Sequence, residues 1–203
     1  MVFFFRSKPW QEIEYWVLDL ETSGLDSRRD QILSVGMVPI RGGVIHWGDH
    51  YYSLVRPKTW DGLTGDAIRV HHILPEELRD APLLTAILLE IDMRLSGGAT
   101  LVLHHAEFDL GFLKKAHTSF GRAWPRPAVV DTQVLVSRYE ERRQRLSPYA
   151  LPVRKSLSEL VQLFNLAPYT SHHALGDALA TAELFLALRA RLELTSFRQV
   201  RTG

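Results

Sequence analysis

The chain has 203 residues, a formal net charge of +1, 46% hydrophobic residues and 23% charged residues. These values suit one folded domain, residues 1–203, with a proper core, and they exclude a disordered chain, a collagen and a coiled coil. The absence of cysteine excludes disulfide scaffolds, thiolate metal sites and cysteine nucleophiles.

The start, MVFFFRSKPW, lacks the long apolar stretch and small-residue cleavage site of a signal peptide. No apolar run approaches the ~20 residues of a membrane span. The expectation is a cytoplasmic protein with no membrane partner. Ile13 to Leu20 (IEYWVLDL) reads as a buried strand, and Glu21 to Asp30, with Gly24 and several polar residues, as a loop. Gln31 to Ile40 and Val44 to Val55 read as two further strands, joined by Arg41-Gly42-Gly43 hairpin chemistry. A short helical turn at Pro75 to Arg79 precedes a longer helix from Leu83 to Leu95, which Gly97-Gly98 breaks. Thr100 to His104 is a strand, Glu107 to Ser119 a helix, Ala128 to Asp131 a short strand, and Thr132 to Arg143 a helix. Ser156-Leu157-Ser158-Glu159 is a capping box opening a helix to Phe164. The last long helix, Ala174 to Leu192, carries Leu175, Ala178, Leu179, Ala182 and Phe185 at helical spacing. This order predicts an α/β fold, a mixed central sheet flanked by helices, opening on an antiparallel hairpin.

Charge is distributed unevenly. Arginine supplies 19 of the 24 basic residues. Arg138, Arg142, Arg143, Arg145, Arg154 and Lys155 stand against Glu140 and Glu141 alone, so this block is a candidate for tracking a polyanion, or else a solvated face.

Carboxylates in apolar settings are the informative feature. Asp19 and Glu21 follow Trp16-Val17-Leu18 and, two residues apart, share one face of the strand. Two such acids repel each other and lose hydration, and a cation removes both problems. Asp109, between Phe108 and Leu110, falls in the first turn of a helix. Asp177 borders the buried face of the last helix, and His172, five residues earlier, is placed just before that helix, over the same cavity. Four carboxylates and one histidine match a site for a hard cation, Mg²⁺ or Mn²⁺. Two such ions suit phosphoryl displacement, and histidine suits proton removal from an attacking water.

These motifs resemble the DEDDh branch of the DnaQ-like 3′–5′ exonucleases, the family of bacterial proofreading epsilon subunits. The segments are VLDLETSGLD (Val17 to Asp26), LVLHHAEFDLGFL (Leu101 to Leu113) and HHALGDA (His172 to Ala178), with VHHILPEELRDAP (Val70 to Pro82) and VVDTQVL (Val129 to Leu135) in agreement. The resemblance covers Trp16 to Leu192 and implies a ribonuclease-H-like fold. It implies that Asp19, Glu21, Asp109 and Asp177 hold two metal ions and that His172 is the general base. It further implies that Thr22, Ser23, Gly24 and Leu25 cradle the terminal nucleotide, that Val70 to Ile73, with His71, His72 and Ile73, lies beside its base and sugar, and that Leu20, His105 and Phe108 also bind the substrate. His105 stands where the family usually has Asn, and His72 where it usually has Gly; His173 falls at a variable position. The implied activity is metal-dependent removal of 5′-mononucleotides from the 3′ end of single-stranded or frayed DNA. The implied partners are DNA and a DNA polymerase, although the eleven residues after Leu192 are read as too short for a polymerase-binding tail. An RNA-trimming enzyme of the same fold and a non-catalytic nucleic-acid-binding module are the alternatives. Thr22 after Glu21 favours DNA, since the oligoribonuclease branch usually has Met there, and retention of all five functional positions favours catalysis. The His-His pairs at 71–72, 104–105 and 172–173 invite a transition-metal reading, and Gln162-Leu163-Phe164 a sliding-clamp motif; peripheral roles and core packing explain them better.

Overall fold

A computed structural model describes residues 7–60, 63, 65–147, 149, 151–153 and 156–203. Arg154 and Lys155 of the basic block lie outside the described residues, as do residues 1–6. Strand β1 (Tyr15–Thr22) pairs antiparallel with β2 (Ile32–Arg41). Gly42 and Gly43, both at positive φ (59° and 82°), turn the chain into β3 (Val44–Ile45). The expected strand from Val44 to Val55 is broken. A 3-10 turn at Trp47–Asp49 separates β3 from β4 (Tyr51–Leu54), which pairs with β2 separately.

Three helices follow, α1 (Gly65–His71), α2 (Pro75–Leu78) and α3 (Leu84–Leu95), the first of which the sequence pattern did not mark. Strand β5 (Thr100–Leu103) then runs parallel to β1, and β6 (Val129–Asp131) parallel to β5, with α4 (Ala106–Ser119) between them. Helices α5 (Thr132–Leu146), α6 (Leu157–Phe164), α7 (Ala174–Arg191) and α8 (Phe197–Val200) complete the chain. The sheet order is β3-β2-β1-β5-β6, with β4 also on β2. The sheet is therefore mixed, as expected. At α6, Ser156 Oγ donates to the Glu159 carboxylate at 2.5 Å instead of accepting a backbone N–H. No helix among the described residues is long and apolar enough to cross a membrane.

Alternation along β1 divides the core. Trp16, Leu18 and Leu20 pack with Ile87, Leu88, Ile91, Phe112 and Leu113 of α3 and α4. Tyr15 and Val17 face the other way, onto Leu135, Leu160, Leu184, Phe185 and Leu188 of α5, α6 and α7. Burying each such side chain fully stabilises the fold by about 1.5–3 kcal/mol. Asp19 and Glu21 continue the Tyr15-Val17 face, so the sheet delivers them toward α7.

Two polar nodes fix the helices around this strand. The Asp131 carboxylate accepts backbone N–H groups from His105 (3.2 Å), Ala106 (3.0 Å) and Gln133 (2.8 Å). One side chain thereby satisfies the starts of both α4 and α5. Asp92 on α3 joins buried His117 (2.9 Å) and Arg122 (2.5 Å), locking α4, which carries Asp109, to α3. The outer edge of β6 is covered by the C-terminal residues, with Thr202 N donating to Val129 O at 3.0 Å.

Candidate active site

Gly36 of β2 lies opposite Asp19 in the antiparallel register. A Cβ at Gly36 would stand 2.3 Å from backbone atoms of Ala174 and Leu175. The missing side chain lets the start of α7 sit directly on the sheet, and this contact places Asp177 beside Asp19 and Glu21. Carboxylate oxygens of Asp19, Glu21 and Asp177 all lie within 4.8 Å of one another. Among the described residues this is the one grouped set of potential metal ligands, and no histidine belongs to it. Asp109 reaches over the sheet end from the opposite layer. Strand β5 pairs with β1 only as far as Val17, and Asp109 accepts the backbone N–H of Leu20 beyond that point.

The four acids are poorly compensated. Burial, then Asp109, Asp177 and Glu21 in turn, hold Asp19 well above the usual carboxylate range. Burial and then Asp177 push Glu21 up to about 8. Burial pushes Asp109 up to about 8, against the pull of the backbone N–H groups it accepts. Asp177 is raised by burial and pulled back by the N–H of His173 (3.1 Å), the His172 imidazole, the Tyr169 phenol and the N–H of His172. A set of oxygen donors that repel one another and have lost hydration fits a hard divalent cation.

His172 lies two residues before α7 with left-handed φ (58°), exposed, and close enough for its imidazole to act electrostatically on Asp177. His173 is the N-cap of α7: its Nδ1 accepts from Gly176 N at 3.4 Å, and its ring stacks on Tyr52 with centroids 4.7 Å apart.

The remaining expected residues divide into three groups. Ser23 Oγ accepts Gln31 N (3.0 Å) and donates to Asp30 (3.4 Å), while Thr22 Oγ1 donates to Gly24 O (2.7 Å), so these side chains shape the loop after β1. A Cβ at Gly24 would meet the Asp30 carboxylate at 2.5 Å. Leu25 projects fully into solvent. Leu20 and Ile73 give their side chains to the core, leaving only their backbone to meet a ligand. His71 is buried; Nδ1 accepts Ile73 N at 3.0 Å and Nε2 has no partner among the described residues. His72 and His105 are exposed, both at positive φ (58° and 71°), and Phe108 packs on Phe112 with ring centroids 5.1 Å apart.

Three positions escaped the sequence reading: Gly36, the Asp131 capping node and Tyr169. The Tyr169 phenol donates to Asp177 from the loop before α7, a segment with no periodic pattern to mark it. The basic block is also less free than its composition suggests. Arg138 donates to Gln199 O (2.7 Å), and Arg142 to Arg191 O (3.2 Å) and Glu193 (2.8 Å), fastening the C-terminal segment. Of Gln162-Leu163-Phe164, only Phe164 packs inward, on Tyr139; Gln162 and Leu163 are exposed, so core packing explains that one residue.

Comparison with known proteins follows the same lines. The family described as Exonuclease (RNase_T) matches residues 16–185. A PolC-type DNA polymerase III of Thermotoga maritima is 32% identical over 171 residues, covering 84% of this chain and 11% of the relative. A DNA polymerase III subunit epsilon-like protein of Rhodobacter capsulatus is 30% identical over 198 residues, covering 96% and 27%. The chain thus spans between about a tenth and about a quarter of the length of such curated relatives. Among solved structures, exonuclease X in complex with 5′ overhanging duplex DNA superposes with a TM-score of 0.67 at 21% identity, over 92% of this chain and 97% of that one. Exonuclease I of E. coli in complex with a dA16 oligonucleotide gives 0.72 at 14% identity, over 89% and 41%. This likeness shows a shared fold, the ribonuclease-H-like arrangement.

Proposed function

The chain belongs to the Exonuclease (RNase_T) family, and from that premise we propose that it is a metal-dependent 3′–5′ exonuclease acting on single-stranded or frayed DNA ends. The observation that carries the reading is the convergence of Asp19, Glu21 and Asp177 oxygens within 4.8 Å, with Asp109 electrostatically joined to Asp19. Asp19, Glu21, Asp109 and Asp177 would hold Mg²⁺ or Mn²⁺, two ions per site. Bound cations would supply charge neutralisation at the scissile phosphate and a more acidic attacking water.

The chain's own groups account for the rest. His172 at the mouth of the cluster takes the proton from the attacking water. The loop Thr22 to Leu25, together with the backbone of Leu20 and Ile73, holds the last nucleotide. His71 offers it the unpaired Nε2, while His72, His105 and Phe108 flank it. The product is a 5′-mononucleotide, and DNA and a DNA polymerase are the proposed partners.

Matched DNA and RNA oligomers labelled at the 5′ end test this in Mg²⁺, Mn²⁺ and chelator. The expected result is a ladder shortening from the 3′ end of DNA, dependent on the cation and absent with Asp19→Ala. Wild-type turnover in Asp19→Ala would overturn the assignment, and faster digestion of RNA would overturn the substrate.

A further inference from the structure

Between the end of β4, the start of α3 and the middle of α4 lies a cavity of about 600 Å³. That volume is within the ~300–1,000 Å³ typical of small-ligand sites. Its floor is apolar, formed by Ile32, Val55, Leu84 and Phe112. Four cations, Arg29, Arg56, Lys58 and Lys115, line it against a single carboxylate, Asp30. Asp30 is already engaged, accepting Asp26 N at 2.9 Å and Ser23 Oγ at 3.4 Å. Such a lining is complementary to a ligand with a flat apolar body and a multiply charged anionic end. Phe120, half exposed at the rim, adds an aromatic face.

We propose that this cavity binds a free nucleoside 5′-monophosphate, its base on the apolar floor and its phosphate among the four cations. Two contacts join the site to residues next in sequence to the cluster, Phe108 before Asp109 and the loop after Glu21. Phe112 in the floor packs on Phe108, 5.1 Å between ring centroids. Gln31 in the wall donates its N–H to Ser23 Oγ (3.0 Å), and its side-chain carbonyl accepts Lys58 N (2.6 Å). An occupant therefore bears on Gln31, which holds the loop assigned to the terminal nucleotide, and the product becomes an inhibitor from a second site. The choice of ligand rests on the exonuclease reading; binding to the cavity requires no hydrolysis.

The test is calorimetric titration with deoxythymidine 5′-monophosphate in chelator. Without a divalent cation the acidic cluster offers the phosphate no positive charge, and it stays silent. Saturable binding is expected, weakened about tenfold or more in Lys115→Glu and in Arg56→Glu, with deoxythymidine and inorganic phosphate each binding at least about tenfold more weakly. Initial rates without added product stay at wild type in both variants, while inhibition by added mononucleotide is relieved. Absence of saturation at millimolar nucleotide, or unchanged affinity in both folded variants, overturns the proposal. Saturable, variant-sensitive binding by a protein that hydrolyses no oligomer would uphold the cavity and sink the exonuclease reading.

Discussion

His172 and His173 are adjacent in sequence and sit in different surroundings. His172 is exposed on a left-handed turn beside Asp177, whereas His173 caps α7 and stacks on Tyr52. The variable position of His173 in the resembling family does not make it inert here, because the cap holds the turn from which Asp177 projects. His172→Ala is expected to lower the single-turnover rate by roughly 10²–10⁴-fold, the usual worth of a positioned base, with melting unchanged. His173→Ala is expected to cost about 0.5–2 kcal/mol of stability through the lost cap. His173→Asn, which keeps a capping acceptor, restores most of that stability, whereas His172→Asn restores no activity. Melting curves and single-turnover rates on the four variants check this. Full activity in His172→Ala would remove it as the base.

At the scale of elements, local pattern and long-range pairing part company. The acids of the cluster were legible because their chemistry is written in spacing: Asp19 and Glu21 two apart on a strand, Asp177 on an apolar helix. The sequence pattern ended β1 at Leu20, since Glu21 and Thr22 look like loop residues. Pairing with Ser34 and Ile32 across a bulge carries the strand on to Thr22. In the same way, β-rich composition from Val44 to Val55 concealed the turn at Trp47–Asp49, and α1 carried no apolar period to announce it. Gly36 was illegible for a deeper reason. A glycine within a strand signals weak packing or a close approach, and only the tertiary structure shows that α7 is what approaches. Gly36→Ala is expected to push α7 off the sheet, costing about 1–3 kcal/mol by overpacking. Activity should fall further than stability does, because a displacement of about 1 Å in reacting groups can cost 10²-fold in rate. Gly48→Ala is the control, since a Cβ there meets nothing within 4 Å. Equal activity in the two variants would show that the α7 contact does not set the position of Asp177.

Taken as a whole molecule, the fold brings two layers together at one end of the sheet and concentrates negative charge there, while the net charge of the chain is only +1. In the metal-free protein the folded state holds protons on Glu21 and Asp109 up to about pH 8, whereas the ordinary values are 4.5 and 3.8. Between those limits the folded state binds more protons than the unfolded state. Stability therefore falls as pH rises through that window, the reverse of the trend given by ion-paired carboxylates. Asp19→Asn removes one charge from the cluster, so its metal-free form is expected to melt above wild type near pH 8 and to lose less stability from about pH 5 to about pH 8. A divalent cation should raise the melting temperature of wild type, and raise it more at the higher pH, because it binds the ionised carboxylates of the folded state. In Asp19→Asn that gain should shrink. Melting curves across pH in chelator and in Mn²⁺, for both proteins, make the comparison. Parallel pH slopes in chelator, or a cation effect that survives undiminished in Asp19→Asn, would show that the cluster is neither strained nor the seat of the metal.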